Sequence, residues 1–257
     1  MASVDNIILF GDSITEVSWQ AGGLGFLLAD AYRRKLDVLN RGFGGYNTEW
    51  ALPIFEQVIP KKDEQAHLPT TRLVVIWFGA NDAALPGSPQ HVPLERYKAN
   101  LATMVSMLRD PSSEWYHAPE RTKILLVTPP PIEEKAIAHV LATVFNPPQP
   151  LDRQFDNTKL YAEAVKAVGA EHDVPVIDMW SAIWDAAGQN VEALGQFLPD
   201  GLHLNAAGYK HAFDLIVDAI AKNWPELKHS DVKQVYPHWS NIDKANPRLS
   251  LRAQKLP

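Results

Sequence analysis

With 257 residues, of which 46% are hydrophobic and 21% charged, the chain fits one α/β domain with a well-filled core, and its composition excludes global disorder. Its formal net charge of −6 disfavours a nucleic-acid partner, because such proteins normally carry a basic surface. The absence of cysteine excludes disulfides, thiolate metal sites and a cysteine nucleophile.

The start of the sequence resembles neither a secretory signal nor a membrane anchor. Residues 1–5 lack the basic and apolar regions of a signal peptide. No apolar run in the sequence reaches the ~18 residues that a membrane span needs. The lack of cysteine also fits a reducing compartment. We therefore expect a cytoplasmic protein without a membrane span.

The first predicted strand is the apolar run over residues 6–10, which leads into Gly11, Asp12 and Ser13. A short apolar run that ends in turn-forming residues is typical of a buried strand. In an open α/β sheet, ligands bind beyond the carboxyl ends of the strands, so Ser13 is a candidate functional residue. On this stretch alone an alternative stays open, in which these residues only turn the chain and cap the next helix.

Further strands alternate with helices along the chain. The sequence predicts strands over residues 36–40, 72–78, 124–128 and 174–177, and helices over 22–35, 48–58, 94–108, 152–171 and after Asn205. Pro53 would be tolerated only in the first turn of its helix or at a kink. This alternation predicts parallel strands joined by right-handed crossovers. We expect a flavodoxin-like three-layer sandwich with a central parallel sheet of about five strands, forming a single domain over residues 1–257.

Two segments lie outside this scheme. Residues 129–150 begin and end in prolines and hold a short helical pattern directly after the fourth strand. They are either a lid or pocket wall, or an ordinary surface helix. Residues 223–257 form a C-terminal extension in which aromatic residues stand among prolines. We expect the extension to pack onto the body of the chain or at a homodimer interface, with the last ten residues frayed.

Acyl transfer by a serine needs a hydroxyl, a base, a group that orients the base, and donors for an oxyanion. Ser13, the glycines of residues 42–45, and Asn81 each follow a predicted strand. Asp200 and His203 directly precede the last helix, where a tight turn could bring both side chains together. Other chemistries fit poorly, because the sequence has no Gly-x-Ser-x-Gly elbow, His-Glu-x-x-His motif, P-loop or dinucleotide fingerprint.

Four short blocks occur in order within residues 6–222: Gly11-Asp12-Ser13-Ile14, Gly45, Gly79-Ala80-Asn81-Asp82 and Asp200-Gly201-Leu202-His203. Together they resemble the blocks of the GDSL, or SGNH, hydrolase superfamily. Ile14 replaces the leucine of the family name. The opening block, the stretch over residues 40–48 and the Pro-His-Trp sequence of residues 237–239 are most similar to the isoamyl acetate-hydrolysing esterases.

The resemblance implies catalytic roles for particular residues. Ser13 would be the nucleophile, His203 the base and Asp200 the acid that orients it. The oxyanion hole would consist of the Ser13 and Gly45 backbone N–H groups and the Asn81 side chain, with Gly44 as the alternative to Gly45. It implies no metal and no cofactor.

The predicted function is a serine carboxylester hydrolase that cleaves short-chain acetate esters of small alcohols through an acyl-enzyme. Its partner would be a small-molecule ester, and the protein would form a possible homodimer. Alternatives on the same fold are a lysophospholipase, a thioesterase or a carbohydrate deacetylase. A catalytically silent binding module and a nucleotide-binding protein also stay open.

Overall fold

The computed structural model describes residues 4–254. Residues 1–3, on which part of the signal-peptide expectation depends, and residues 255–257 of the C-terminal extension lie outside the described residues. A parallel sheet has the strand order β2-β1-β3-β4-β5, which is the flavodoxin-like order. Its strands are β1 (Asn6–Gly11), β2 (Asp37–Gly42), β3 (Thr71–Trp77), β4 (Lys123–Val127) and β5 (Val176–Ile177). The predicted fold class is confirmed.

Helices cover both faces of the sheet and connect its strands. They are α1 (Ser13–Glu16), α2 (Leu24–Ala31), α3 (Thr48–Val58), α4 (Leu94–Arg109), α5 (Glu134–Thr143), α6 (Phe155–Glu171), α7 (Met179–Ala186), α8 (Ala206–Asn223) and α9 (Pro247–Ser250). Short 3₁₀ turns occur at Val17–Trp19, Val191–Gln196, Pro225–Leu227 and Trp239–Asn241.

Several element boundaries differ from the prediction for local reasons. The helix expected over residues 22–35 ends earlier, because Arg34 has a φ of 66° and turns the chain towards β2. The strand expected over 174–177 has only two residues, since the Val174 N–H still bonds the Gly169 carbonyl at the end of α6. Pro53 is the sixth residue of α3, beyond the first turn. The sequence did not predict α1 or α7.

The sheet separates two apolar layers, because alternate side chains of a strand point to opposite faces. Ile7 and Leu9 of β1 pack on the side covered by α2, α7 and α8. Ile8 and Phe10 pack on the side covered by α3, α4 and α6. Every residue of β1 and β3 is buried, as expected for central parallel strands.

The described part of the C-terminal extension contacts the body of its own chain. Leu227 and Val232 are buried in the core layer beneath α8. The Arg34 guanidinium donates to the carbonyls of Tyr236 and Pro237, and the Val235 N–H donates to the Arg34 carbonyl. Within residues 4–254, no helix is long and apolar enough to cross a membrane.

Candidate active site

Ser13 is the first residue of α1, immediately beyond the end of β1. Asp12 caps this helix, and its carboxylate accepts a hydrogen bond from the Ile14 N–H at 2.9 Å. Gly11 is required here, because a Cβ would lie 2.5 Å from the Trp77 carbonyl oxygen. The capping alternative therefore applies to Asp12, while the Ser13 hydroxyl stays available for other contacts.

The structure brings Ser13, His203 and Asp200 into one chain of hydrogen bonds. The Ser13 Oγ lies 2.8 Å from His203 Nε2, and His203 Nδ1 lies 2.6 Å from Asp200 Oδ2. An ionised carboxylate only accepts hydrogen bonds, so Nδ1 carries the imidazole hydrogen in the neutral ring. Nε2 is then the acceptor for the Ser13 hydroxyl, which is the arrangement that a general base requires.

A tight turn brings together the side chains of Asp200 and His203, which are three residues apart in sequence. Asp200 Oδ1 accepts from the N–H groups of Leu202 and His203, at 2.9 and 2.7 Å. Gly201 has a φ of 84°, and a Cβ there would lie 2.4 Å from the Glu133 carbonyl oxygen. Asn205 then caps α8 and ends the turn. The local sequence thus fixes the Asp200–His203 pair independently of Ser13.

Opposing effects set the pKa values of this pair. Burial raises the pKa of the Asp200 carboxyl, but hydrogen bonds from the His203 ring and from the His203 and Leu202 backbone lower it further, to about 2. The hydrogen bond to Asp200 raises the pKa of His203 above its usual value, although burial opposes the shift. At neutral pH Asp200 is therefore charged and holds the imidazole in place.

Gly45 and Asn81 line the same cavity as Ser13 and His203. Gly45 follows β2 and has a φ of 79°, a left-handed conformation that favours glycine. A Cβ on Gly44 would instead lie 2.5 Å from the Glu16 carboxylate. Asn81 follows β3, and its side-chain Nδ2 donates to the Tyr46 carbonyl at 2.8 Å. The predicted oxyanion donors thus meet at the carboxyl ends of three neighbouring strands.

The sequence analysis missed Arg153 and Gln90, which line the same cavity and contact Asn81 and Gly45. Arg153 is buried, and its Nη2 donates to Asn81 Oδ1 at 2.9 Å and to Gln90 Oε1 at 2.6 Å. Gln90 Nε2 donates in turn to the Gly45 carbonyl at 2.9 Å. Arg153 is separated from Asn81 by 72 residues in sequence, so no local pattern predicts the contact.

Two buried carboxyls lie close to the site. Burial raises the pKa of Asp12 to about 7, against the hydrogen bond from Ile14 and the nearby charges of His203 and Arg153. Burial also raises the pKa of Asp82 to about 7, against hydrogen bonds from Thr48. Within residues 4–254, no group of three or more His, Asp or Glu side chains could hold a metal ion.

A cavity of about 780 Å³ opens beside Ser13. Residues 129–150 supply much of one wall, so α5 and the segment after it form a pocket wall. The apolar lining comprises Leu85, Pro86, Pro89, Ile137, Val140, Leu141, Phe145, Pro150, Leu151 and Leu202. The polar lining includes Ser13, Asn81, Gln90, Arg153 and His203. Such a cavity suits an apolar ligand with one reactive polar group.

Comparisons with known proteins agree with this geometry. The model of the GDSL-like Lipase/Acylhydrolase family matches residues 9–211. A GDSL esterase/lipase of Arabidopsis thaliana is 42% identical over 250 residues, covering 95% of this chain and 96% of the relative. The isoamyl acetate-hydrolyzing esterase 1 homolog of Homo sapiens is 37% identical, covering 95% and 91%. The crystal structure of a lipase/acylhydrolase from Enterococcus faecalis superposes with a TM-score of 0.59 at 27% identity, covering 90% of this chain and 98% of that one.

Proposed function

The chain belongs to the GDSL-like lipase/acylhydrolase family and is a carboxylic ester hydrolase, and we propose that it cleaves short-chain esters, above all acetates of small alcohols, with Ser13 as nucleophile. The observation that carries the proposal is the hydrogen-bonded chain Ser13–His203–Asp200, with distances of 2.8 and 2.6 Å, which lines a mainly apolar cavity. A hydroxyl bonded to an oriented imidazole is the arrangement that activates a serine for acyl transfer.

In the first half of the proposed reaction, Ser13 Oγ attacks the ester carbonyl carbon while its proton passes to His203 Nε2. The carbonyl π electrons move to oxygen and form a tetrahedral oxyanion. The oxyanion collapses, the bond to the alkoxide breaks, and His203 returns its proton to the departing alcohol. Asp200 stays ionised and stabilises the imidazolium that forms between these steps.

In the second half, water repeats the sequence on the acyl-enzyme. His203 takes a proton from the attacking water, and a second oxyanion forms at the same carbon. Its collapse breaks the bond to Ser13 Oγ, which regains the proton from His203 as the carboxylic acid leaves. The net reaction consumes one ester and one water and yields one acid and one alcohol.

We assign the oxyanion donors to the Ser13 and Gly45 N–H groups and to Asn81 Nδ2. One Asn81 hydrogen binds the Tyr46 carbonyl, and the second is the one assigned to the oxyanion. Gly45 is preferred to Gly44 because Gly45 lines the cavity with Ser13 and Asn81. Loss of one such donor lowers kcat by about 10²–10³ in serine hydrolases.

The apolar cavity wall favours an ester with an apolar alcohol or acyl group over a carbohydrate acetate. The likeness to isoamyl acetate-hydrolyzing esterase homologs supports the same choice. One observation favours a second candidate. A cavity of about 780 Å³ is within the range that holds drug-sized ligands, so esters of longer acyl chains are the alternative substrates.

Hydrolysis of isoamyl acetate and a chromogenic acetate by the wild type and Ser13→Ala tests the proposal. Ser106→Ala, at an exposed position in α4, is the matched control. We expect turnover in the wild type and in S106A and none above background in S13A, with identical circular dichroism. Equal turnover in S13A contradicts the assignment of the nucleophile. An acyl-chain series and sugar acetates then separate the short-ester proposal from its alternatives.

We also propose that the chain forms a homodimer in the cytoplasm. The support for the dimer is a set of exposed apolar side chains in the extension: Tyr236, Trp239, Leu249 and Leu251. Removal of residues 236–257 spares the buried Leu227 and Val232, and light scattering should then give about half the mass of the full-length particle. A truncated protein that still has the mass of two chains would refute the interface. Fractionation of cells tests the location, which the absence of cysteine supports.

A further inference from the structure

Arg153 is a buried cation to which the proposed mechanism assigns no role. Its side chain is about 6% exposed, and it lines the cavity beside the residues assigned to the oxyanion. Its guanidinium donates four hydrogen bonds. Nε donates to the Ala80 carbonyl at 3.1 Å, Nη1 to Asp152 Oδ1 at 2.6 Å, and Nη2 to Asn81 Oδ1 and Gln90 Oε1 at 2.9 and 2.6 Å.

The first consequence concerns the orientation of Asn81. A guanidinium has donors only, so the Asn81 group that faces it must be the carbonyl oxygen and not the amino group. Nδ2 is thereby directed away from Arg153 and donates to the Tyr46 carbonyl, and Asn81 lines the cavity. Arg153 and the Tyr46 carbonyl together fix both the position and the sense of the Asn81 amide.

The second consequence concerns Gly45. Gln90 accepts from Arg153 through Oε1 and donates from Nε2 to the Gly45 carbonyl. The Asn47 side chain also donates to the Gln90 backbone carbonyl at 2.9 Å, which anchors the residue. Gly45 has a left-handed φ, and glycine is free to adopt several other backbone conformations. The Arg153–Gln90 contact therefore restrains the residue whose N–H is assigned to the oxyanion.

We propose that Arg153 is the positioning residue of the oxyanion hole, holding Asn81 directly and Gly45 through Gln90. The inference rests on the proposed function, because it concerns the same site. Donors that are already aligned stabilise a developing charge without reorganisation, so the residue that aligns them should affect kcat more than KM. Arg153 acts through these two partners and is not a group that reacts.

The shape of the side chain matters to this role as well as its charge. Arginine presents a planar fork of donors that can reach several acceptors at fixed angles, whereas lysine presents a compact point charge on a flexible stem. Arg153→Lys keeps the cation but cannot reproduce contacts to Ala80, Asn81 and Gln90 together. We therefore expect it to restore only part of the activity lost in Arg153→Met.

The test is a double-mutant cycle between Arg153→Met and Asn81→Ala, with kcat and KM measured on a chromogenic acetate. R153M should lower kcat by about 10²-fold and change KM by less than about threefold, because it loosens an aligned donor. In the N81A background the same change should lower kcat by less than about tenfold, since its main partner is already absent. Arg109→Met is the control, because Arg109 is a partly buried arginine that bonds the carbonyls of His117 and Thr122 instead of site residues.

Gln90→Leu tests the contact from Arg153 through Gln90 to Gly45, and it leaves the buried arginine in place. It should lower kcat by about tenfold with little change in KM. Additive losses in the R153M and N81A cycle, a change confined to KM, or full activity in both R153M and Q90L would overturn the proposal. If S13A retains wild-type turnover, the proposed function itself has failed, and this outcome is distinct from the others.

Discussion

Replacement of Asp200 by asparagine isolates the role of one oxygen atom. The Oδ1 of asparagine can still accept from the N–H groups of Leu202 and His203, so the turn keeps both of its side-chain contacts. The Oδ2 that faces His203 Nδ1 becomes an amino group, which only donates. The neutral imidazole must then present Nδ1 as an acceptor and carry its hydrogen on Nε2. Nε2 would donate to the Ser13 hydroxyl and could not accept its proton.

The expected loss in kcat is about 10⁴, the size seen when a serine-hydrolase triad holds the wrong imidazole tautomer. At 1.36 kcal/mol per factor of ten, this corresponds to about 5.4 kcal/mol of transition-state stabilisation. The pH dependence should change as well. In the wild type, the hydrogen bond to Asp200 raises the pKa of His203, so activity should fall below a midpoint that lies above 6.5. In D200N that contribution is absent, and the midpoint of the residual activity should move to lower pH.

Initial rates with a chromogenic acetate between about pH 5 and 9 measure both effects. Asp200→Ala is the comparison variant, because it removes the acceptor for the two backbone N–H groups as well as the contact to His203. It should therefore unfold at a lower temperature than D200N. A kcat for D200N within tenfold of the wild type, or an unchanged acid midpoint, would refute the assignment of Asp200 and His203.

Three further predictions follow from particular contacts. Gly45→Ala should lower the unfolding free energy by about 1–2 kcal/mol, because Gly45 has a positive φ, and it should also lower activity. Gly44→Ala should have smaller effects, because its Cβ displaces only the end of the flexible Glu16 side chain. Urea titration and kcat measure both differences. Asp82→Asn should flatten the pH dependence of stability. Because the pKa of Asp82 is raised to about 7, the folded state binds the proton more tightly than the unfolded state, and unfolding free energy falls as pH rises from 3.8 to about 7, by up to about 1.4 kcal/mol per unit. If the unfolding free energy of the variant, which still has Asp12, falls with pH as steeply as that of the wild type, the prediction is wrong. Leu141→Trp should lower kcat/KM for an octanoate ester more than for an acetate, because it fills the cavity wall; equal losses would place the acyl chain elsewhere.

The sequence predicts most of the fold because the information is local. An unbroken apolar run marks β3, and helical spacing places α4 within one residue of its observed end. The helix α1 was missed for the opposite reason, since four residues hold too few turns for a period to emerge, and α7 was missed as well. Likewise the length of β5 was overestimated, because the end of α6 holds Val174 through a backbone hydrogen bond that the residue types do not encode.

The same distinction applies to the site. Ser13, Asn81, Asp200 and His203 stand in short blocks at the ends of elements, so their residue types and their order along the chain are enough to make them candidates. The contacts of Arg153 join segments separated by 63 to 73 residues, and its neighbours in sequence form no motif. A residue that acts through other residues leaves no local pattern, and only the folded chain shows it.

The order of the strands explains why these distant blocks can act together. In the order β2-β1-β3, the carboxyl end of β1 lies between those of β2 and β3, so Ser13 is flanked by the segments that carry Gly45 and Asn81. The turn with Asp200 and His203 belongs to no strand, and a separate contact aligns it. Buried Tyr209 of α8 donates to the Ile14 carbonyl of α1 at 2.5 Å, which ties the helix after His203 to the helix that starts at Ser13. The distance between the proposed nucleophile and base therefore depends on how two helices pack, while the positions of the proposed oxyanion donors depend on the sheet.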